Sequence, residues 1–168
     1  HAIGIENPPA LPAVAVIDSG FRSAELNIVE SYDYADLDRD VSPDCNNHGT
    51  VVAGIIGAKS GNGGLNGIIP NAPLYAYKVI SSSRCNSNKI SERAIIASLE
   101  EILAVQHDVV AVNMSLSLSE KPSGWLPFGD ARRWAVVGKI ADVVRSGVLF
   151  VNSAGNSGKD VTYLRDIP

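Results

Sequence analysis

Cysteine, basic charge and long apolar runs are all scarce in this chain, and each scarcity excludes something. Cys45 and Cys85 are the only cysteines in 168 residues, too few for a disulfide scaffold and without the spacing of a zinc site. They allow one bridge at most. Lys and Arg total 14 against 18 Asp and Glu, a formal net charge of −4. A domain that tracks phosphate backbones is normally basic, so no nucleic-acid partner is expected. No stretch of about 18 residues is free of charges and breakers, so no membrane span is expected either. The first residues, from His1 to Pro9, have neither the basic region nor the apolar core of a signal peptide. The absence of a starting Met points to a processed product or an excised piece, from which a targeting segment could have been removed.

What the chain does have is apolar content: 45% hydrophobic residues against 19% charged place it among globular rather than disordered or fibrous chains. Its Gly and Pro residues act as punctuation, with no fixed-period repeat and no low-complexity run, so one compact unit is expected.

Pro12 to Ile17 is a continuous apolar run stopped by Asp18-Ser19-Gly20, the pattern of a strand buried on both faces of a parallel sheet. A weaker strand is expected at Ile28 to Tyr34, followed by an acidic loop through Asp36, Asp38, Asp40 and Asp44. Asn46 or Asn47 can cap a helix from about His48 to Ala58, and Pro73 to Val79 reads as a strand. Ser91, Ala94, Ile95, Leu99, Ile102 and Leu103 have helical spacing, and Asp108 to Met114 is a buried strand. A helix from Ala131 to Arg145 ends at Gly147, before a last strand from Val148 to Val151. This alternation predicts an α/β fold: a mostly parallel sheet flanked by helices on both faces.

Chemistry in such sheets sits beyond the carboxyl ends of the strands. Three polar segments fall there: Asp18-Ser19-Gly20, Ser115-Leu116-Ser117 and Ser153-Ala154-Gly155-Asn156. The helix starting at His48 carries Gly49, Gly54 and Gly57, each costing about 1 kcal/mol relative to Ala in a helix interior. With Val51, Val52, Ile55 and Ile56 alongside, these glycines predict a helix buried all round and closely approached by backbone.

In order along the chain, Ala15-Val16-Ile17-Asp18-Ser19-Gly20, Asn47-His48-Gly49-Thr50-Val51-Val52-Ala53-Gly54, Gly67-Ile68-Ile69-Pro70-Asn71-Ala72-Pro73-Leu74 with Lys78-Val79, Val112-Asn113-Met114-Ser115-Leu116 and Ser153-Ala154-Gly155-Asn156 resemble the motifs of subtilisin-like serine proteases, the subtilases. The resemblance runs from about Ala13 to Asn156 and implies a subtilisin-like fold. Residues 1–168 are then the N-terminal portion of a catalytic domain whose C-terminal part is missing. It implies Asp18 and His48 as members of an Asp-His-Ser triad and Asn156 as the oxyanion donor. Ser115, Leu116, Ser117, Ser153, Ala154 and Gly155 would bind the substrate, a polypeptide. The chemistry agrees: such an enzyme needs a base, a buried carboxylate that fixes its tautomer, and donors aimed at the oxyanion. No cofactor is required for that chemistry and no catalytic metal is expected.

The family's nucleophile lies beyond the oxyanion Asn, in a Gly-Thr-Ser segment that these residues do not contain. A C-terminal complement of the same domain is therefore expected to supply it. Ser157, in Gly155-Asn156-Ser157-Gly158, superficially matches the motif of trypsin-like enzymes, but those are antiparallel β-barrels. Ser117 stands where the family usually has Gly, which implies a narrower primary specificity pocket.

Subtilases commonly bind structural calcium, and the loop Lys59 to Asn66 sits where one such site is built; a solvated Gly/Asn loop is the competing reading. Asp36, Asp38 and Asp40 alternate like an EF-hand loop, but Val41 and Asn47 occupy its sixth and twelfth positions, which rules that motif out. The resemblance also brings the loops of Cys45 and Cys85 together at the cleft rim, so a bridge between them is expected, and with it a secreted or extracytoplasmic location. Trp125, Phe128 and Trp134 are expected to pack on the sheet. Two other functions stay open: a catalytically inactive, subtilase-like peptide-binding module, and an unrelated α/β protein using Asp18 as a phosphoacceptor. The second leaves the glycine-laden His48 helix unexplained.

Overall fold

The computed structural model describes residues 11–22, 24–61, 64, 66–83, 90–116 and 128–156, with the backbone alone for 128–133. Among the described residues there are eight elements, alternating from β2 onward: β1 (Ala13–Asp18), β2 (Ile28–Asp33), α1 (His48–Gly57), β3 (Leu74–Lys78), α2 (Glu92–Ala104), β4 (Val109–Met114), α3 (Phe128–Arg145) and β5 (Leu149–Asn152). The strands form one five-stranded sheet in the order β2-β3-β1-β4-β5, and every pairing is parallel. The expected α/β architecture is the one observed.

The unbroken apolar run of β1 is explained by its central place, where all six residues are buried. Alternate residues serve opposite faces, as strand geometry requires. Ala15 and Ile17 join Tyr77, Leu99, Val112, Val136 and Val143 in a core under α2 and α3. Val14 and Val16 join Leu74, Ala76 and Ala53 in a smaller core under α1. Asp18, which shares the parity of Val14 and Val16, therefore belongs to the α1 face.

From β2 onward each crossover steps across the sheet in the same direction, yet α1 lies on one face and α2 and α3 on the other. The β2-α1-β3 crossover thus has the opposite hand to the two that follow it. Since such crossovers are nearly always right-handed, one of the two arrangements departs from the rule. The effect is to set the start of α1 beside the carboxyl end of β1.

The α1 helix differs from its expectation. Gly49, Ala53 and Gly57 are buried, but Val51 and Ile55 are 57% and 58% exposed. The helix is therefore covered on one side only among the described residues. Gly49 and Gly57 do make the close approaches expected of them, whereas a Cβ at Gly54 would meet nothing within 4 Å. Trp134 is 69% exposed rather than packed on the sheet; Trp125 and the Phe128 side chain lie outside the described residues. Gly147 ends α3 as expected, with a φ of 94° and its N–H donated to the Val144 carbonyl.

Candidate active site

The site begins where β1 stops. Asp18 is fully buried, and the Ser19 N–H donates to its Oδ1 at 2.7 Å. The chain then turns at Gly20, whose φ is 151° and where a Cβ would fall 2.7 Å from the Asp44 Cα and the Pro43 carbonyl oxygen. Gly49 comes in from the other side. A Cβ on it would lie 2.2 Å from the Gly20 carbonyl oxygen and 3.0 Å from the Asp18 Cβ. Only glycine lets the first turn of α1 sit so close to β1, and that approach delivers His48.

His48 Nδ1 lies 2.7 Å from Asp18 Oδ1, with the imidazole 43% exposed and the carboxylate sealed. Against an ionised Asp18 the Nδ1–H is the donor, which leaves Nε2 free to take a proton on the open side. Burial pushes the Asp18 carboxyl above its ordinary pKa; the His48 hydrogen bond and the Ser19 N–H oppose that shift without cancelling it. Asp18 Oδ2 is buried with no partner among the described residues. One oxygen thus orients the imidazole while the other keeps its charge poorly compensated.

The start of α1 is held by Asn46, one of the two expected caps, and by side chains that sequence reading missed. Asn47 has a left-handed φ of 60° and makes no side-chain cap; its Oδ1 instead accepts from Arg22 Nη2 at 2.6 Å. The capping acceptors are Asn46 Oδ1, which takes the His48 N–H at 3.0 Å, and Asp44 Oδ2, which takes the Thr50 N–H at 2.9 Å and its hydroxyl at 2.5 Å. Ser19 Oγ donates to Asp44 Oδ1 at 2.7 Å and accepts the Gly49 N–H at 3.0 Å. A carboxylate at a helix N-terminus also complements the helix dipole. The available signal was Asp44 four residues before His48, overshadowed by two adjacent asparagines.

A second network, also unforeseen, stands in the same row of the sheet, where the ladder sets Lys78 opposite both Asp18 and Asp33. Lys78 is fully buried. Its Nζ donates to Asp33 Oδ2, to Asp36 Oδ2 at 3.3 Å and to Ser82 Oγ at 3.1 Å. Asp33 Oδ1 accepts the Ala35 and Asp36 N–H groups at 2.8 and 2.9 Å. Asp36 also takes the Ser81 hydroxyl and the Ser82 N–H. Partial burial pushes the Asp36 carboxyl up, but the bonds from Ser81, Ser82 and Lys78 hold it well below the usual range. Its stabilising contribution is therefore present above about pH 4 and lost on acidification through the lowered value.

Replacing Lys78 with Met in the complete protein strands the buried Asp33 carboxylate, so unfolding free energy should drop by about 3–5 kcal/mol. Adding Asp33→Asn to that variant should restore part of the loss. Additive losses in denaturant titrations would show that the pair is not coupled.

The structure joins Asp18 to His48 directly; of the other expected residues, those described after β4 and β5 share the same edge of the sheet. Ser115 and Leu116 follow β4, and Ser153, Ala154, Gly155 and Asn156 follow β5. Since β1 leads leftward to β2 and β4 rightward to β5, the gap between β1 and β4 is the topological switch point where such folds bind ligands. The Ser153 N–H donates to the Met114 carbonyl at 3.3 Å and its hydroxyl to the Leu116 carbonyl at 3.2 Å, tying the two segments together. Gly155 has a φ of 81° and Asn156 is exposed. Ser117, Ser157 and Cys85 lie outside the described residues, while Cys45 is disulfide-bonded. The loop 59–66 is described only in part. Lys59 there donates its N–H to the Glu25 carbonyl and its Nζ to the Ala24 carbonyl.

Comparison with known proteins agrees with this geometry. The sequence model of the subtilase family, peptidase S8, matches residues 11–166. The chain is 34% identical over 149 residues to alkaline serine exoprotease A of Vibrio alginolyticus, covering 86% of this chain and 24% of that protein. It is 35% identical over 147 residues to subtilisin E of Bacillus subtilis, covering 86% of this chain and 34% of that protein. It spans from about a quarter to about half the length of such relatives. Among solved structures, MycP1 with its N-terminal propeptide removed superposes with a TM-score of 0.68 at 25% identity, covering 90% of this chain and 45% of that one. Fervidolysin from Fervidobacterium pennivorans, at 20% identity and a TM-score of 0.65 over 90% of this chain and 22% of its own, shares the fold. With the family model matching residues 11–166 of its 168, the chain belongs to the subtilase family of serine proteases.

Proposed function

We infer that residues 1–168 are the N-terminal portion of the catalytic domain of a subtilisin-like serine endopeptidase. The observation that carries this reading is the 2.7 Å contact between the buried Asp18 Oδ1 and His48 Nδ1 at the carboxyl end of the central strand. In the reaction, Nε2 of His48 takes the proton of a serine hydroxyl as that oxygen attacks the peptide carbonyl, and later delivers it to the leaving amine. Asp18 holds the tautomer and stabilises the imidazolium. The serine comes from a C-terminal complement of the same domain. An extended peptide adds to the Ser115-Leu116-Ser117 segment by main-chain hydrogen bonds, with an apolar or small residue before the scissile bond. Ser153, Ala154 and Gly155 line the other side.

Asn156 is the oxyanion donor in this reading. Asn156→Ala should lower kcat of the complete enzyme by about a hundred- to a thousandfold, the magnitude that loss of the corresponding donor has in subtilisin itself. Unchanged turnover in that variant removes Asn156 from the machinery. A Cys45–Cys85 bridge would stiffen the cleft rim and suits a secreted or extracytoplasmic enzyme. In keeping with that location, a relative 32% identical over 153 residues is named minor extracellular protease Epr, from Bacillus subtilis. No helix among the described residues is long and apolar enough to cross a membrane.

The deciding experiment treats the complete protein with a fluorophosphonate probe and a chromogenic peptide. Turnover together with a labelled serine beyond residue 168 supports the endopeptidase. Peptide binding without label or turnover identifies the catalytically inactive binding module instead.

A further inference from the structure

The sheet face opposite His48 carries a cavity of about 290 Å³ at the outer strand β2 and the helix α2, lined by Tyr32, Tyr34, Tyr77, Glu30, Glu101 and Arg39, with Ser31. Tyr77 has the parity of the α2-side core and pairs in the ladder with Tyr32, so the cavity is separated from Asp18 by the sheet itself. The Tyr32 and Tyr34 ring centroids are 4.6 Å apart at 50°, and those of Tyr34 and Tyr77 are 5.9 Å apart at 55°. The Tyr34 hydroxyl donates to Glu101 Oε2 at 3.4 Å. Tyr77 lines the cavity, and its hydroxyl is fully buried with no hydrogen-bond partner among the described residues.

We propose that this cavity is a binding site for an organic cation, the guanidinium or ammonium group of a basic side chain. Aromatic faces attract such a group through their quadrupoles. Glu30 and Glu101 supply charge, and the Tyr77 oxygen is an acceptor that a ligand N–H would satisfy. Burial, with the neighbouring Glu101 and Glu30, pushes the Tyr77 hydroxyl far above its ordinary pKa; burial and Glu101 do the same for Tyr34. Both phenols therefore stay neutral at pH 7, and the charge of the site is that of its carboxylates. Two carboxylates disfavour an anion, and the polar rim disfavours a purely apolar ligand. Arg39 is exposed at the mouth, one fixed cation against two carboxylates, and weakens the site for a second cation. The site is independent of the peptidase reading, since no residue of the Asp18–His48 pair lines it.

The test is titration calorimetry of the complete protein with N-acetyl-arginine amide, its neutral citrulline counterpart, and ethylguanidinium. The arginine probe should bind and the citrulline probe should not. Ethylguanidinium binding as tightly as the arginine probe identifies a free small cation as the ligand; weaker binding identifies a side chain on a polypeptide. Glu101→Gln should weaken the arginine probe by at least about tenfold, as loss of a charge-assisted hydrogen bond requires. Tyr77→Phe should weaken it by about two- to tenfold while leaving Tm unchanged or raised, because an unpaired buried hydroxyl is removed. Arg39→Gln should tighten it by about twofold or more, an effect of sign opposite to mere structural damage. His48→Ala should leave probe binding unchanged and Glu101→Gln should leave peptide turnover unchanged, so the cation site and the peptidase reading fail separately. Equal binding of the citrulline probe, or a lowered Tm in Tyr77→Phe, overturns the proposal; the second result would mean that the Tyr77 hydroxyl already has a hydrogen-bond partner in the free protein.

Discussion

Replacing His48 with Ala in the complete protein is expected to lower kcat by about a millionfold while leaving KM little changed; that magnitude is inherited from subtilisin, a relative of this chain. The reason is local. In the proposed reaction His48 is the base at the carboxyl end of β1, and its Nδ1 is already committed to Asp18. Asp18→Asn should cost less, about ten-thousandfold, because it misdirects the imidazole without removing it. The double variant should be no worse than His48→Ala alone, since the two residues act as a unit.

Stability should move the other way. Burial raises the Asp18 pKa above its ordinary value of 3.8, so the folded chain holds that proton more tightly than the unfolded one. Stability therefore falls as pH rises from about 3.8 through the folded value. A neutral Asn escapes that loss, so Tm of Asp18→Asn relative to the parent should increase between pH 4 and pH 7. Parent and variant share every other titrating group, so the difference reports on Asp18 together with its partner His48. Turnover within tenfold of the parent in His48→Ala would sink the triad assignment. A Tm difference that shrinks with rising pH would sink the burial argument.

The fold was legible because β1 is apolar without alternation, which only a central parallel strand tolerates, and because the glycines of α1 contradict helix propensity unless something lies against them. Gly49 shows what that something is: the Gly20 carbonyl. The same reasoning overreached at Gly54, Val51 and Ile55, because periodicity reports which residues are apolar and not whether a neighbour exists to cover them. The reversed hand of the β2-α1-β3 crossover left no mark in local sequence; it depends on how three strands are ordered. Lys78 falls within a recognisable motif, but its burial depends on Asp33 and Asp36, more than forty residues away in sequence. The tyrosine cavity was equally hidden: Tyr32, Tyr34 and Tyr77 read as ordinary strand residues until β2 and β3 pair.

The 168 residues alone are expected to show no serine-peptidase turnover and no fluorophosphonate labelling, and to gain both when a C-terminal complement carrying a serine is supplied. A base acts only on a nucleophile placed beside it, and in subtilisin loss of the serine alone costs about a millionfold in kcat, a value again inherited from that relative. The surface gives an independent reason to expect a complement. Val51 and Ile55 on α1 are 57% and 58% exposed, and Leu149 and Val151 on β5, the outer strand of the described sheet, are 63% and 47% exposed. Exposed apolar side chains on an unpaired strand edge invite pairing with another chain, so the isolated chain should also elute as an associated species in size-exclusion chromatography. Adding the complement should convert it to a discrete complex and restore labelling on the added serine. Labelling with turnover in the chain alone would place the nucleophile within these residues, with Ser157 the first to be tested by Ser157→Ala, and the complement would then have no catalytic role.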